Sequence, residues 1–270
     1  MKMAKRHHYA EYYTLVYPKG FEPYDGRPWQ WQLSTGLTFD MGGKPDPTAP
    51  IAFTKFQTSA GEDVCRIPFS VASLLEVNAM HEELTHSIRL INELDGDEKI
   101  VESRLFSQDA IKRLYDPLLA VYTVAAHLFA NRASVKDVLI AYANASRLSG
   151  FCLNFPRRLF PRLVVPETFA VWGERNEQFK ARCDRGYLFM LLLEHAGATD
   201  SKDLDEWFPK VLDRAGLPTM DEIRMAAEEE LKDIFLAEVP GPASDRLSQL
   251  QSIGRGYQLK YGLRLNAPYL

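Results

Sequence analysis

The spacing of apolar residues in this chain changes once, near Pro68, and that change limits the folds open to it. Before Pro68 apolar and polar residues alternate, and after it apolar residues recur every third or fourth position. Alternation puts one apolar face on a strand, whereas spacings of three and four put one apolar stripe on a helix. A run of strands followed by a run of helices is the pattern of an α+β protein. The expected architecture is therefore α+β and predominantly α-helical, with a small N-terminal antiparallel sheet packed on a helical body. Residues 1–67 form a β-hairpin module and residues 68–270 a helical domain. The aromatic face of the first hairpin needs cover, and the helices are the large apolar surface at hand, so the two parts are expected to share one core.

Within the first part, Trp29 to Leu33 and Leu37 to Met41 alternate on either side of Ser34-Thr35-Gly36, which reads as a first hairpin. Trp29, Trp31, Leu33, Leu37, Phe39 and Met41 then share a face. After the breaker-rich stretch from Gly42 to Pro50, Ile51 to Gln57 and Glu62 to Ile67 read as a second hairpin. In the second part, Ser73, Val77, Met80, Leu84, Ile88 and Ile91 mark one amphipathic helix ending near Asp95-Gly96. Ser107 opens a run to Asn131 that is apolar nearly all round after Pro117 and kinked or interrupted at that proline. Ser134 to Asp137 and Thr219 to Glu222 fit the pattern in which a hydroxyl and an acid three residues later cap a helix start. Further helices are expected from Glu167 to His195, from Ser201 to Ala215 and onward through Glu238.

A chain of 270 residues buries enough surface to fold without staples. Cys65, Cys152 and Cys183 lie far apart with no Cys-x-x-Cys pair, so neither a disulfide framework nor a cysteine zinc site is indicated. The basic start, Lys2 to His8, lacks the apolar stretch of a secretion signal. The longest apolar run, Leu118 to Ala130, falls short of the roughly 20 residues that span a bilayer. A cytoplasmic protein with no membrane contact and no required cofactor is the expectation.

Function is read from where acids are missing. Val138 to Pro166 contains no Asp or Glu yet carries Arg147, Arg157, Arg158 and Arg162, and the tail after Asp245 carries Arg246, Arg255, Lys260 and Arg264. Each block is +4 in a molecule of formal charge −4, which leaves −12 for the rest. Phe151, Phe155 and Phe160 are interleaved with the first block, and Tyr257 and Tyr261 with the second. Cations for phosphates beside flat rings for bases is the chemistry that holds single-stranded nucleic acid. The leading expectation is a binding subunit of a nucleic-acid-containing assembly that contacts RNA or single-stranded DNA alongside other protein subunits. Arg147, Arg157, Arg158, Arg162, Arg255, Lys260 and Arg264 would meet phosphates, with Phe151 and Tyr257 as stacking surfaces. The competing reading pairs these arginines with acids from the −12 remainder.

Two other classes stay open. His81 and His86 are five apart, about 140° around a helix, so they do not share the face that a two-histidine zinc site requires. Glu83-x-x-His86 is similar to the Glu-x-x-His spacing of ferritin-like di-iron proteins, which implies a carboxylate and an imidazole turned into a bundle, with Glu76, Asp116, His127 and Glu194 as further ligand candidates. A metal-dependent enzyme centred on Glu83 and His86, either di-iron carboxylate or, through a π-bulge or break that brings His81 and His86 together, zinc, is thus the alternative. The third class is a protein-protein scaffold that docks its partner on the aromatic hairpin led by Trp29 and Trp31.

Overall fold

The computed structural model describes residues 13–16, 27–40, 42–133, 135–197 and 204–233, the last three by their backbone alone. Four antiparallel strands, β1 (Leu15–Val16), β2 (Gln30–Phe39), β3 (Pro45–Gln57) and β4 (Asp63–Phe69), lie in the order β1-β4-β3-β2. The first hairpin is not the one that alternation predicts. Ser34, Thr35 and Gly36 continue β2 as a single strand and pair with Phe53, Ala52 and Ile51. The reversal comes later, where the Asp40 carboxylate accepts the Lys44 N–H at 2.8 Å and Gly43 adopts φ +81°. Thr35 is a strand former and none of the three needs φ > 0, whereas Asp40 to Lys44 has the Asx and glycine chemistry a tight turn requires. The second hairpin falls where expected, closed by the Thr58 N–H to Glu62 carbonyl bond.

Register then sorts the sheet into two faces. Trp31, Leu33, Thr54, Phe56, Cys65 and Ile67 come side by side on the face that packs under the helices. The opposite face holds polar pairs such as Lys55 with Asp63 at 2.7 Å.

Helix α1 (Val71–Asn92) starts directly after β4, capped by the Ser70 hydroxyl. It is followed by α2 (Gly96–Leu114), the 3-10 helix η1 (Pro117–Leu119), α3 (Ala120–Arg132) and α4 (Val138–Asn154). Then come η2 (Arg157–Arg162), η3 (Glu167–Trp172), α5 (Glu174–Ala181), α6 (Arg185–Ala196), α7 (Leu204–Arg214) and α8 (Met220–Asp233). Three boundaries differ from expectation. Helix α2 begins at Gly96 instead of Ser107, because its first turns carry Asp97 and Glu98 where the helix dipole favours acids. Asp137 caps α4, accepting from the Leu139 and Ile140 N–H groups, so the helix starts three residues later than the capping pattern predicts, and Ser134 lies outside the described residues. The segment from Glu167 to His195 is three pieces, broken at Gly173 and at the Cys183 turn. Thr219 and Glu222 do form the reciprocal cap, at 2.9 and 3.4 Å.

One buried cluster contains residues of both the sheet and the helices. Its link is His127 of α3, fully buried, with its ring stacked on Trp29 at 5.0 Å and Nε2 2.6 Å from the Leu114 carbonyl. A carbonyl only accepts, so Nε2 carries the proton. Gly186 lets the start of α6 abut the end of β4, since a Cβ there would lie 2.6 Å from the Phe69 carbonyl oxygen.

Candidate binding surfaces

Pro156 ends α4 and turns the chain into η2, which places Arg157, Arg158 and Arg162 along one short helix. The α5–α6 turn adds two more cations. The Cys183 thiol lies 3.8 Å from the Arg157 carbonyl, and Arg185 donates to the carbonyls of Cys152 and Phe155 with its guanidinium over the Phe160 ring. Burial pulls the pKa of Arg185 below its usual value. Arg182 and Arg185 do not belong to an acid-free block, because Asp184 stands between them. Asp184 is the cap of α6, accepting the Tyr187 N–H at 2.8 Å, and burial raises its pKa.

Helix α8 meets this surface with a row of acids. Glu230 accepts the N–H groups of Arg157 and Arg158 at 2.9 and 2.8 Å, and Glu229 pairs with the Arg158 guanidinium. The pKa of Glu222 is lowered first by the Thr219 hydroxyl bond and also by Arg162. The helix therefore runs antiparallel to η2 and sets carboxylates beside the arginines. Arg147 does not join them; it is one face of α4 away and bonds Asp205 of α7 at 2.8 Å. Phe151 is 6% exposed, packed against Phe155 and Phe208, so it has no ring face for a base. The stacking role assigned to it is corrected: the phenylalanines of this block follow the helical stripe into the core. Arg255, Tyr257, Lys260 and Arg264 lie outside the described residues.

The metal-ligand candidates stay apart. Among the described residues no three His, Cys, Asp or Glu side chains gather as a metal ion needs. Glu83 faces Arg113 at 3.9 Å, and Glu83 and His86, three apart on one helix face, both line the same open groove. His81 approaches Thr85 at 3.5 Å, and burial lowers its pKa. Asp116 caps η1, and Glu194 pairs with Arg132 and accepts from the Thr168 hydroxyl at 3.0 Å. The two tryptophans of the aromatic hairpin are both covered. Trp29 is buried and Trp31 is covered by the Arg132 guanidinium, 5.2 Å from the ring centre.

A different surface stands out, and Glu83 and His86 are among the residues that line it. Helices α1 and α2 form an antiparallel pair whose outer part leaves the body: from residue 85 to residue 109 no side chain is buried. Helix α1 makes its buried contacts from Ser73 to Leu84, against α3 and α4, and α2 buries Ala110 and Leu114 alone. Yet this outer part is not polar throughout. Leu90, Ile100, Val101 and Leu105 are 51%, 62%, 54% and 52% exposed. Between the two helices lies an open groove of about 730 Å³ with Leu84, Ile91, Leu94 and Phe106 in its floor. Glu98, Glu102 and Asp109 follow one face of α2 along it, at helical spacing. Asp109 is held by Arg113 at 2.7 Å, whereas Glu98 and Glu102 make no ion pair among the described residues. The signal for this surface was in the sequence as leucines beyond the reach of the core, but exposure cannot be read from spacing.

No described helix is long and apolar enough to cross a membrane. Compared with known proteins, the chain matches no family model, no curated protein and no solved structure.

Proposed function

We propose that this protein works by binding another polypeptide on the α1–α2 hairpin, as a subunit or adaptor of a protein assembly. The observation that carries this reading is the run of 25 residues, 85–109, in two helices with none buried while four large apolar side chains stand more than half exposed. Short helices owe most of their stability to packing an apolar face, and monomers rarely leave such a face open without a use for it. Covering each of these four side chains is worth about 1 kcal/mol, enough with a polar rim for a regulated contact. The test is comparative co-purification of the full chain and of a Leu90→Asp/Leu105→Asp variant, with Val171→Asp, an exposed site on η3, as control. A partner retained by the wild type and the control but lost from the hairpin variant supports the reading. Equal retention by all three overturns it.

The nucleic-acid reading survives in a narrower form, favoured by one observation. Arg157 stands beside Arg158, Arg162 and Arg185 around η2, and it makes no side-chain ion pair among the described residues. That surface would take the phosphate backbone of RNA or single-stranded DNA without stacking its bases. The acids of α8 oppose it. Binding of a labelled single strand that weakens steeply with salt and strengthens in Glu229→Gln/Glu230→Gln supports this form, and no binding at low salt removes it.

A further inference from the structure

We infer that the occupant of the α1–α2 groove is a cationic amphipathic α-helix of another protein, an inference that rests on reading the hairpin as a docking surface. Shape and charge lead to the same occupant. The groove residues of α2, from Glu98 to Asp109, extend about 17 Å along the helix axis, which matches three turns of a third helix laid between the two. Its floor is apolar, so the incoming helix needs an apolar stripe at spacings of three and four.

Its flanks define the charge. The segment 82–109 holds eight acids and three bases, a formal −5, and Glu98 and Glu102 line the groove with carboxylates that make no ion pair among the described residues. A helix with Lys or Arg flanking its apolar stripe would set cations against these two carboxylates. The same charge argues against a second copy of this chain pairing hairpin to hairpin, because two segments of −5 would be brought together. At the inner end Arg113 already neutralises Asp109 and approaches Glu83, so the charge preference is set by the outer half of the groove.

The test uses the full chain and a fluorescein-labelled synthetic helix of about 14 residues, with leucines on one face and lysines on the other. A peptide of the same pattern with glutamate in place of lysine is the control. The lysine peptide is expected to bind, to weaken as salt is raised, and to lose roughly tenfold in affinity in the Glu98→Lys/Glu102→Lys variant. Glu167→Lys/Glu174→Lys, which changes net charge equally at exposed sites elsewhere, should leave affinity within about twofold. Equal losses in the two charge variants would show attraction to the molecule at large and overturn the inference. Lysine and glutamate peptides binding alike, with both lost in Leu90→Asp/Leu105→Asp, would also overturn it while leaving the docking surface standing. Binding of neither peptide, with no hydrogen-exchange protection in α2, would overturn the inference and count against the docking surface. A dimer by light scattering that Leu105→Asp dissociates, or a cross-link from Lys99 to Lys260 within one molecule, would assign the groove to a second copy or to this chain's own tail and equally refute the inference.

Discussion

Protonating His127 should destabilise this protein, and replacing it should remove a defined part of the acid sensitivity. The ring is fully buried among Trp29, Phe56 and Tyr115, and burial pushes its pKa down to about 4, only partly offset by the bond to the Leu114 carbonyl. An unfolded histidine titrates near 6.5, so the unfolded chain takes up the proton first. Stability is then complete above about pH 6.5 and declines as pH falls towards 4. A difference of about 2.5 units corresponds to about 3 kcal/mol in full and about 2 kcal/mol at pH 5. Urea unfolding at pH 7.5 and at pH 5 measures it. His127→Gln keeps a side-chain donor but does not titrate, so although it is less stable at pH 7.5, it should lose about 2 kcal/mol less than the wild type between the two values. Parallel losses in both proteins would refute the reasoning, since they would place the acid-sensitive group elsewhere.

Three further outcomes follow from packing. Arg132→Ala strands the Glu194 carboxylate, whose side chain is 5% exposed, and should cost on the order of 3 kcal/mol in urea unfolding, the low end for such pairs because Arg132 is 30% exposed. Leu105→Asp should change stability by less than about 0.5 kcal/mol, whereas Leu84→Ala, one step inside the body, should cost about 2–5 kcal/mol; comparable losses would mean that α2 is packed and the groove closed. Gly186→Ala drives a methyl group into the Phe69 carbonyl and should lower the melting temperature by the equivalent of about 1–3 kcal/mol, with no change if α6 shifts freely.

Much of the secondary structure was legible because it rests on local spacing. The α1 stripe from Ser73 through Leu84 and the Thr219–Glu222 cap were read in place, since helical period and capping involve residues at most a few positions apart. The first hairpin differs from the alternation pattern because Ser34-Thr35-Gly36 is acceptable in a strand as well as in a turn, and the choice fell to nine paired positions with β3. The start of α2 was missed because Ile100, Val101 and Leu105 do not form a stripe that faces a core; they face outward. Phe151 illustrates the limit for function: alternation with arginines looks like a stacking surface in one dimension, yet Leu148 and Phe155, three before and four after it on the same face, go inward with it.

The order of the two hydrophobic periods by itself determined that a small sheet precedes a helical body, and composition determined that the body needs no disulfide to hold it. Which charges meet was decided only in three dimensions. Arg158 finds Glu229, 71 positions away, and Arg147 finds Asp205, 58 positions away, because α8 and α7 pack beside η2 and α4. Coulomb interactions depend on separation in space, and a sequence records separation along the chain. For the same reason the exposed leucines of the hairpin became a surface only when the core they might have joined closed at Leu84 and Ala110, leaving two helices that continue past it.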